Sequence, residues 1–285
     1  MAVALGAGAA SACPCGTTLG PVAPWTQAAD RVAFASALSW QTEPGTVDAR
    51  GRAWSSPPGV STHRVLLDLA AAWRVAPALE LAAQWSAAYT AIALPGAASA
   101  AASAGDVSVR ARWESAVPLR RAAPQVAAWA ALRAPTGSAG AGALATVTGL
   151  GLGAWEPALG AELRWSVSSP VTVMALTEVG VRVAPVGSVR PGVRWVLGGA
   201  VAHQVTPRWA WTAALTEVIE GAASEDGQRV AGSATRRSLL AVGASARWAD
   251  GLRTMLTVSG DLPLPGLASN ITTQTRVGVT VIWSR

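Results

Sequence analysis

The stretch Val107-Ser-Val-Arg-Ala-Arg-Trp113 alternates without a break: Val, Val, Ala and Trp at odd positions, Ser, Arg and Arg between them. Successive side chains of a strand point to opposite faces, so this is a β-strand with one apolar and one charged side. Val193-Arg-Trp-Val-Leu-Gly-Gly-Ala-Val201 and Val277-Gly-Val-Thr-Val-Ile-Trp283 repeat the idea. A soluble sandwich alternates too, but its outward face is the polar one, and exposed Trp has no place there.

Composition points the same way. The 285 residues are 51% hydrophobic and 13% charged, with 14 Trp. Soluble chains carry about 25% charge, and half of that does not dress a globule of this size. An apolar, tryptophan-rich chain is not disordered. A helical membrane protein needs runs of about 20 strongly apolar residues. Of the two uncharged stretches, 81–105 is mostly Ala and Ser, interrupted by Gln84, Pro95 and Gly96, and 134–155 is built from Gly, Ala and Thr, with Pro135 and Gly137 near its start. The fold class expected is all-β, a transmembrane antiparallel up-and-down β-barrel of about 12 strands.

Candidate strands fall at 31–41, 63–75, 78–90, 106–115, 123–134, 157–167, 171–183, 192–205, 208–219, 237–248, 252–261 and 271–284. Connections at 75–78, 168–170, 206–207 and 250–251 are short, whereas 42–62, 91–105, 135–156 and 220–236 are long. Short turns at one rim and long loops at the other are the pattern of bacterial outer-membrane barrels, with both chain ends on the periplasmic side. Five of the six descending strands end on Trp: Trp73, Trp113, Trp165, Trp248 and Trp283, and Trp209 starts the ninth strand at that level. Indole prefers the membrane interface, so these form one aromatic girdle, with Trp40, Tyr89 and Trp195 as candidates for the other. Val109, Leu163, Leu197, Val258 and Val279 are expected to face lipid near mid-membrane.

The opposite parity is charged. Arg64, Arg74, Arg110, Arg112, Arg133, Arg164, Arg182, Arg194, Arg247, Arg253 and Arg276 are expected to face the lumen, with Asp68, Glu80, Glu114, Glu162, Glu178 and Asp261. Every basic side chain is Arg, and the formal charge is +6. These arginines alternate along strands and form no patch, so nucleic acid is not an expected partner. Pairing across strands would hold the interior rigid and narrow the opening.

Catalysis finds little support. His63 opens the second strand at the long-loop side and His203 ends the eighth at the short-turn side, too far apart to share a site. No nucleophile signature accompanies either. The glycines at 137, 140, 142, 149, 151 and 153 have no Lys and no phosphate-loop spacing, and read as a flexible loop. No catalytic residue, metal site or cofactor is expected.

Gly105-Asp-Val-Ser-Val-Arg-Ala-Arg-Trp113, followed by Ala134-Pro-Thr-Gly137 and a Gly-rich stretch, resembles the family named for the MetA pathway of phenol degradation. The resemblance covers 105–183 best. It implies an outer-membrane barrel of transporter type, linked to uptake of hydrophobic or aromatic compounds. The chain departs from the usual aromatic end of such barrels, since Ser284 and Arg285 follow Trp283.

Residues 1–12 end on Ala10-Ser-Ala12 and read as a signal-peptide remnant. Residues 13–30 would be a periplasmic tail holding the two cysteines, Cys13 and Cys15, and 31–285 the barrel. Metal binding, a local disulfide or a lipid are open to that pair, and an oxidised or inert pair is favoured. The expected protein is a monomeric outer-membrane barrel passing small molecules, with outer-membrane lipids and the barrel assembly machinery as partners. The alternatives are a barrel enzyme of protease or acyl-hydrolase type and a structural or adhesive barrel.

Overall fold

A computed structural model describes residues 31–115, 124–137, 153–168, 170–183, 189–264 and 266–285. The proposed signal remnant, the tail with Cys13 and Cys15, and most of the glycine-rich loop lie outside these residues. Twelve antiparallel strands form one closed wall: β1 (Val32–Val47), β2 (Ser61–Ala76), β3 (Leu79–Leu94), β4 in two pieces (Ala97–Ala104 and Val107–Glu114), β5 (Gln125–Ala134), β6 (Glu156–Ser166), β7 (Val171–Gly180), β8 (Arg194–Gln204), β9 (Trp209–Glu220), β10 (Thr235–Ala249), β11 (Leu252–Asp261) and β12 (Ile271–Ser284). Each strand pairs with its chain neighbours, and β1 pairs with β12 from Ala33↔Ser284 to Val47↔Ile271. Closure matters energetically, because in a bilayer every backbone amide must find a partner within the wall.

Two expected long loops are strand instead. Residues 91–105 hold the top of β3, a tight turn and the upper piece of β4, paired from Ala87↔Ala104 to Leu94↔Ala97. Pro95-Gly96, with Gly96 at φ 80°, makes the turn. The alternation is faint there, because at 97–104 only Ser99 and Ser103 on one face differ from Ala. Residues 42–62 likewise contain the end of β1 and a short strand, Ala53–Ser55, paired with it. Past β1, Asp48 accepts the amides of Arg52 and Arg50, and those bonds hold its carboxyl below the ordinary carboxylate range. The 220–236 connection carries a small hairpin turning on Asp226 (φ 50°) and Gly227 (φ 81°).

β4 is broken by a bulge at Gly105 and Asp106, and the segment after β5 clasps it. The Gly137 amide donates to Asp106 Oδ1 at 2.9 Å, and the Val107 amide donates to Thr136 Oγ1 at 2.8 Å. A Cβ on residue 137 would stand 2.7 Å from the Gly105 carbonyl carbon, so only glycine fits. The two stretches that carried the family resemblance thus close on each other.

The outer wall is apolar. Val109, Leu163, Leu197, Val258 and Val279 all lie exposed on it. So do Trp40, Trp73, Trp113, Trp165, Trp195, Trp209, Trp248 and Trp283, with Tyr89. At the short-turn rim, Trp283 stacks on Phe34 at 5.8 Å and Trp209 meets Trp248 edge-on at 6.3 Å. Tyr89 stands ten residues above Leu79, which pairs with Trp113. Ten residues are about 33 Å of strand and about 25 Å of height at a ~40° tilt, the height of an outer-membrane apolar band. Leu163, however, sits two residues from Trp165, only ~5 Å from that rim by the same geometry. The expectation of a mid-membrane position therefore fails for Leu163, and by the same geometry for Leu197, two residues from Trp195 at the other Trp level, because parity fixes a residue's face but not its depth.

If the two Trp levels bracket the bilayer, bromination near the lipid headgroups should quench Trp73, Trp113, Trp165 and Trp248 strongly in single-Trp variants. Water-exposed, unquenched emission from all four would contradict that placement.

Candidate functional site: the charged lumen

Inside the wall most of the charges are buried and paired. Arg64, Asp68, Glu80, Arg112, Glu114, Arg133, Glu162, Arg164, Arg194 and Arg276 are all buried on the inner face. Arg74, Arg110, Glu178, Arg182, Arg247, Arg253 and Asp261 lie on the same side, and Arg247 and Arg253 oppose each other in register near the short turns.

These side chains reach past their immediate neighbours. Arg276 on β12 crosses β1 to Asp68 on β2 at 2.6 Å, bonding Ser39 Oγ on the way at 2.7 Å. Ser86 Oγ donates to the same Asp68 carboxylate at 2.6 Å. Arg74 on β2 crosses β3 to Glu114 on β4 at 3.4 Å, and Arg112 on β4 crosses β5 to Glu162 on β6 at 3.5 Å. The strand crossed supplies a small side chain: Ser39 in the first case, and Ala127, opposite both Glu114 and Glu162, in the last. Local pairs complete this cluster, Arg112–Glu114 at 2.8 Å and Arg164–Glu162 at 2.6 Å.

A second cluster centres on Glu156. Its carboxylate receives Arg133 at 3.2 Å, Arg194 at 2.6 Å and Arg182 at 3.2 Å. Arg194 also reaches Glu178 at 2.8 Å, and Arg182 reaches Glu220 at 2.7 Å. Elsewhere Arg64 meets Glu43 at 3.2 Å and Arg237 meets Asp261 at 3.3 Å. Desolvation offsets much of each attraction, so the web specifies a shape more than it adds stability, and breaking one member is costly.

Between the two clusters lies an inward indole. Trp129 on β5 leans over Gly160 on β6, and its Nε1 donates to Glu178 on β7 at 2.9 Å. The Arg110 guanidinium stands over the ring, 5.5 Å from its centre. A Cβ at residue 160 would come within 2.2 Å of the indole. Gly160→Ala should therefore lift the ring off the wall and break the Glu178 bond, at about 1–3 kcal/mol. Urea unfolding would read the loss, and a near-ultraviolet dichroism spectrum identical to wild type would show that the ring had not moved.

Sequence reasoning missed Glu43, Trp129, Glu156, Glu220 and Arg237. Trp129 shares the parity of Arg133, and Arg237 that of Arg247, so the alternation already held both. Glu43, Glu156 and Glu220 fell in segments taken as loop. His63 and His203 are on the outer wall. His63 stacks on Trp40 at 5.7 Å, and His203 Nδ1 accepts the Trp211 indole N–H at 3.0 Å. They stand at opposite rims, each beside an outward Trp. Among the described residues no group of three metal-ligating side chains is found.

A closed ring, apolar outside and lined with ion pairs inside, is an outer-membrane β-barrel. No protein-family model and no curated protein sequence matches the chain. Among solved structures, the COG4313 outer membrane channel from Pseudomonas putida F1 is similar with a TM-score of 0.73 at 15% identity, covering 90% of this chain and 96% of that one. The beta domain of the Bordetella autotransporter BrkA is similar with a TM-score of 0.52 at 12% identity, over 90% of this chain and 100% of that one. The transport unit of the autotransporter AIDA-I from Escherichia coli follows at 0.50 and 10%, over 90% of each. At these identities the likeness is one of fold.

Proposed function

We propose that the protein is a narrow, monomeric outer-membrane channel for small solutes, related to the family named for the MetA pathway of phenol degradation. The observation that carries it is the lumen itself, a continuous charged inner face enclosed by an apolar wall. An adhesive or structural barrel needs no such lining. The resemblance of Asp106, Arg110, Arg112 and Gly137 to that family's motif, and the likeness to the COG4313 channel, support the same reading. Transport is favoured over catalysis because both histidines face outward and away from the lumen.

The arginines of the inner face outnumber its carboxylates, so an open path has a net positive wall. Such walls concentrate anions, the more so in low-dielectric surroundings. Because most arginines are already paired, the bias is modest. In planar bilayers the expected result is a small conductance with a reversal potential on the anion side of a salt gradient. Cation preference would refute the charge argument. No conductance, with no liposome swelling in small sugars or benzoate, would favour the structural barrel.

A further inference from the structure

Two arginines on one face of one strand differ in what holds them. Arg112 is gripped by Glu114 and Glu162. Arg110, two residues away, has no ion pair or hydrogen bond to its guanidinium among the described residues, and its Nε is buried without a partner. What holds it is the face of Trp129. That indole is fixed in turn by the space at Gly160 and by its bond to Glu178, so the cation rests on a rigid shelf. A π face attracts the guanidinium as a charge and leaves its N–H fork uncommitted. The fork matches a carboxylate bidentately.

The geometry points to Arg110, seated on Trp129, as a binding site in the lumen for the carboxylate of a small monovalent organic anion. This deepens the channel reading and rests on it. By contrast, the arginines around Glu156, Glu162 and Asp68 are neutralised by carboxylates, and an entering anion would have to break an ion pair to use them. At Arg110 no ion pair has to be broken. The carboxylates of Glu178, Glu80 and Glu162 lie within electrostatic reach, which disfavours a second negative charge on the solute and keeps the first exchangeable.

The test has a binding arm and a conduction arm on the refolded full chain. Titrated with sodium acetate at constant ionic strength set with sodium fluoride, the wild-type protein should show a saturable change in tryptophan emission as the guanidinium shifts over Trp129. The change should vanish in Trp129→Phe and Arg110→Gln, and persist in Arg112→Gln or Arg164→Gln, judged on heat-modifiable, folded protein. Arg110→Lys keeps the charge and loses the fork, so it should saturate only at higher acetate. Saturation unchanged in Arg110→Gln, or lost equally in Arg112→Gln and Arg164→Gln, would overturn the site. In bilayers, Arg110→Gln should weaken the acetate preference over potassium without reversing it, since the rest of the wall stays net positive. Saturable binding without any conductance would refute the channel and leave the site standing, so the two failures are distinguishable.

Discussion

Glu156→Gln is expected to destabilise the folded barrel by roughly 3–5 kcal/mol, the cost of stripping one partner from a buried ionic cluster. The carboxylate is 1% exposed and receives three guanidinium groups, from Arg133, Arg182 and Arg194. Glutamine keeps the size and one acceptor oxygen but withdraws the counter-charge, and three cations are left crowded on one spot of the inner wall. Glu178 and Glu220 still serve Arg194 and Arg182, which limits the damage. The matching control is Glu217→Gln on the outer surface, where the partner Arg236 is 40% exposed. That exchange should cost only about 0–1 kcal/mol, since the pair is partly exposed two residues from the Trp195 level, within reach of headgroups and water. Urea unfolding in lipid vesicles followed by tryptophan emission measures both. Equal stability of Glu156→Gln and wild type would mean that the Glu156 cluster is hydrated and carries no structural strain.

The contrast between those two glutamates shows what sequence does and does not reveal about this barrel. Parity along a strand is a local property, so the lipid and lumen faces could be read from stretches such as 107–113 and 277–283. Partnership is not local. That Arg276 meets Asp68 depends on closure between β12 and β1, which sets the register of strands 208 positions apart in the chain. That Arg112 meets Glu162 depends on Ala127 being small enough to be crossed. Neither condition has a signature in a single strand. Strand height is hidden for a different reason. At Ala97–Ala104 one face is all Ala and the other Ala and Ser, so little contrast marks the strand, and among the described residues its partner is β3.

The same limit explains why Arg110 and Arg112 look equivalent in sequence and differ in the folded protein. Both have lumen parity, and both lie in the segment that resembles a transporter family. What separates them is the folded wall, which holds Arg112 between Glu114 on its own strand and Glu162 on β6, and seats Arg110 on the indole of β5. An interior filled with mutual pairs is stiff and narrow, and selectivity then resides in the few groups the web leaves available. A tally of lumen charges predicts the sign of the preference, while the pairing determines where it acts.

Depth in the bilayer yields the second large effect. Val258 lies on the outer wall six residues from Leu252, which pairs with Trp283 at the short-turn rim. Six residues are about 20 Å of strand and about 15 Å of height at a ~40° tilt, close to the middle of an apolar band ~25 Å tall. Its cross-strand neighbours Val242 and Val277 are apolar and equally exposed, so no polar group is at hand to receive a charge. Val258→Arg should therefore cost about 2–4 kcal/mol, whereas Leu163→Arg, two residues from Trp165, should cost only about 0–1 kcal/mol because its guanidinium can reach the headgroups. Sequence parity alone gives the two substitutions equal weight, and the folded wall does not. Urea titration of both variants in vesicles against wild type measures the difference directly. A Val258→Arg barrel as stable as wild type would mean that β11 is out of register by one residue, with that side chain in the lumen. Equal, large losses in both variants would place Leu163 deep in the bilayer and move the Trp165 level away from the interface.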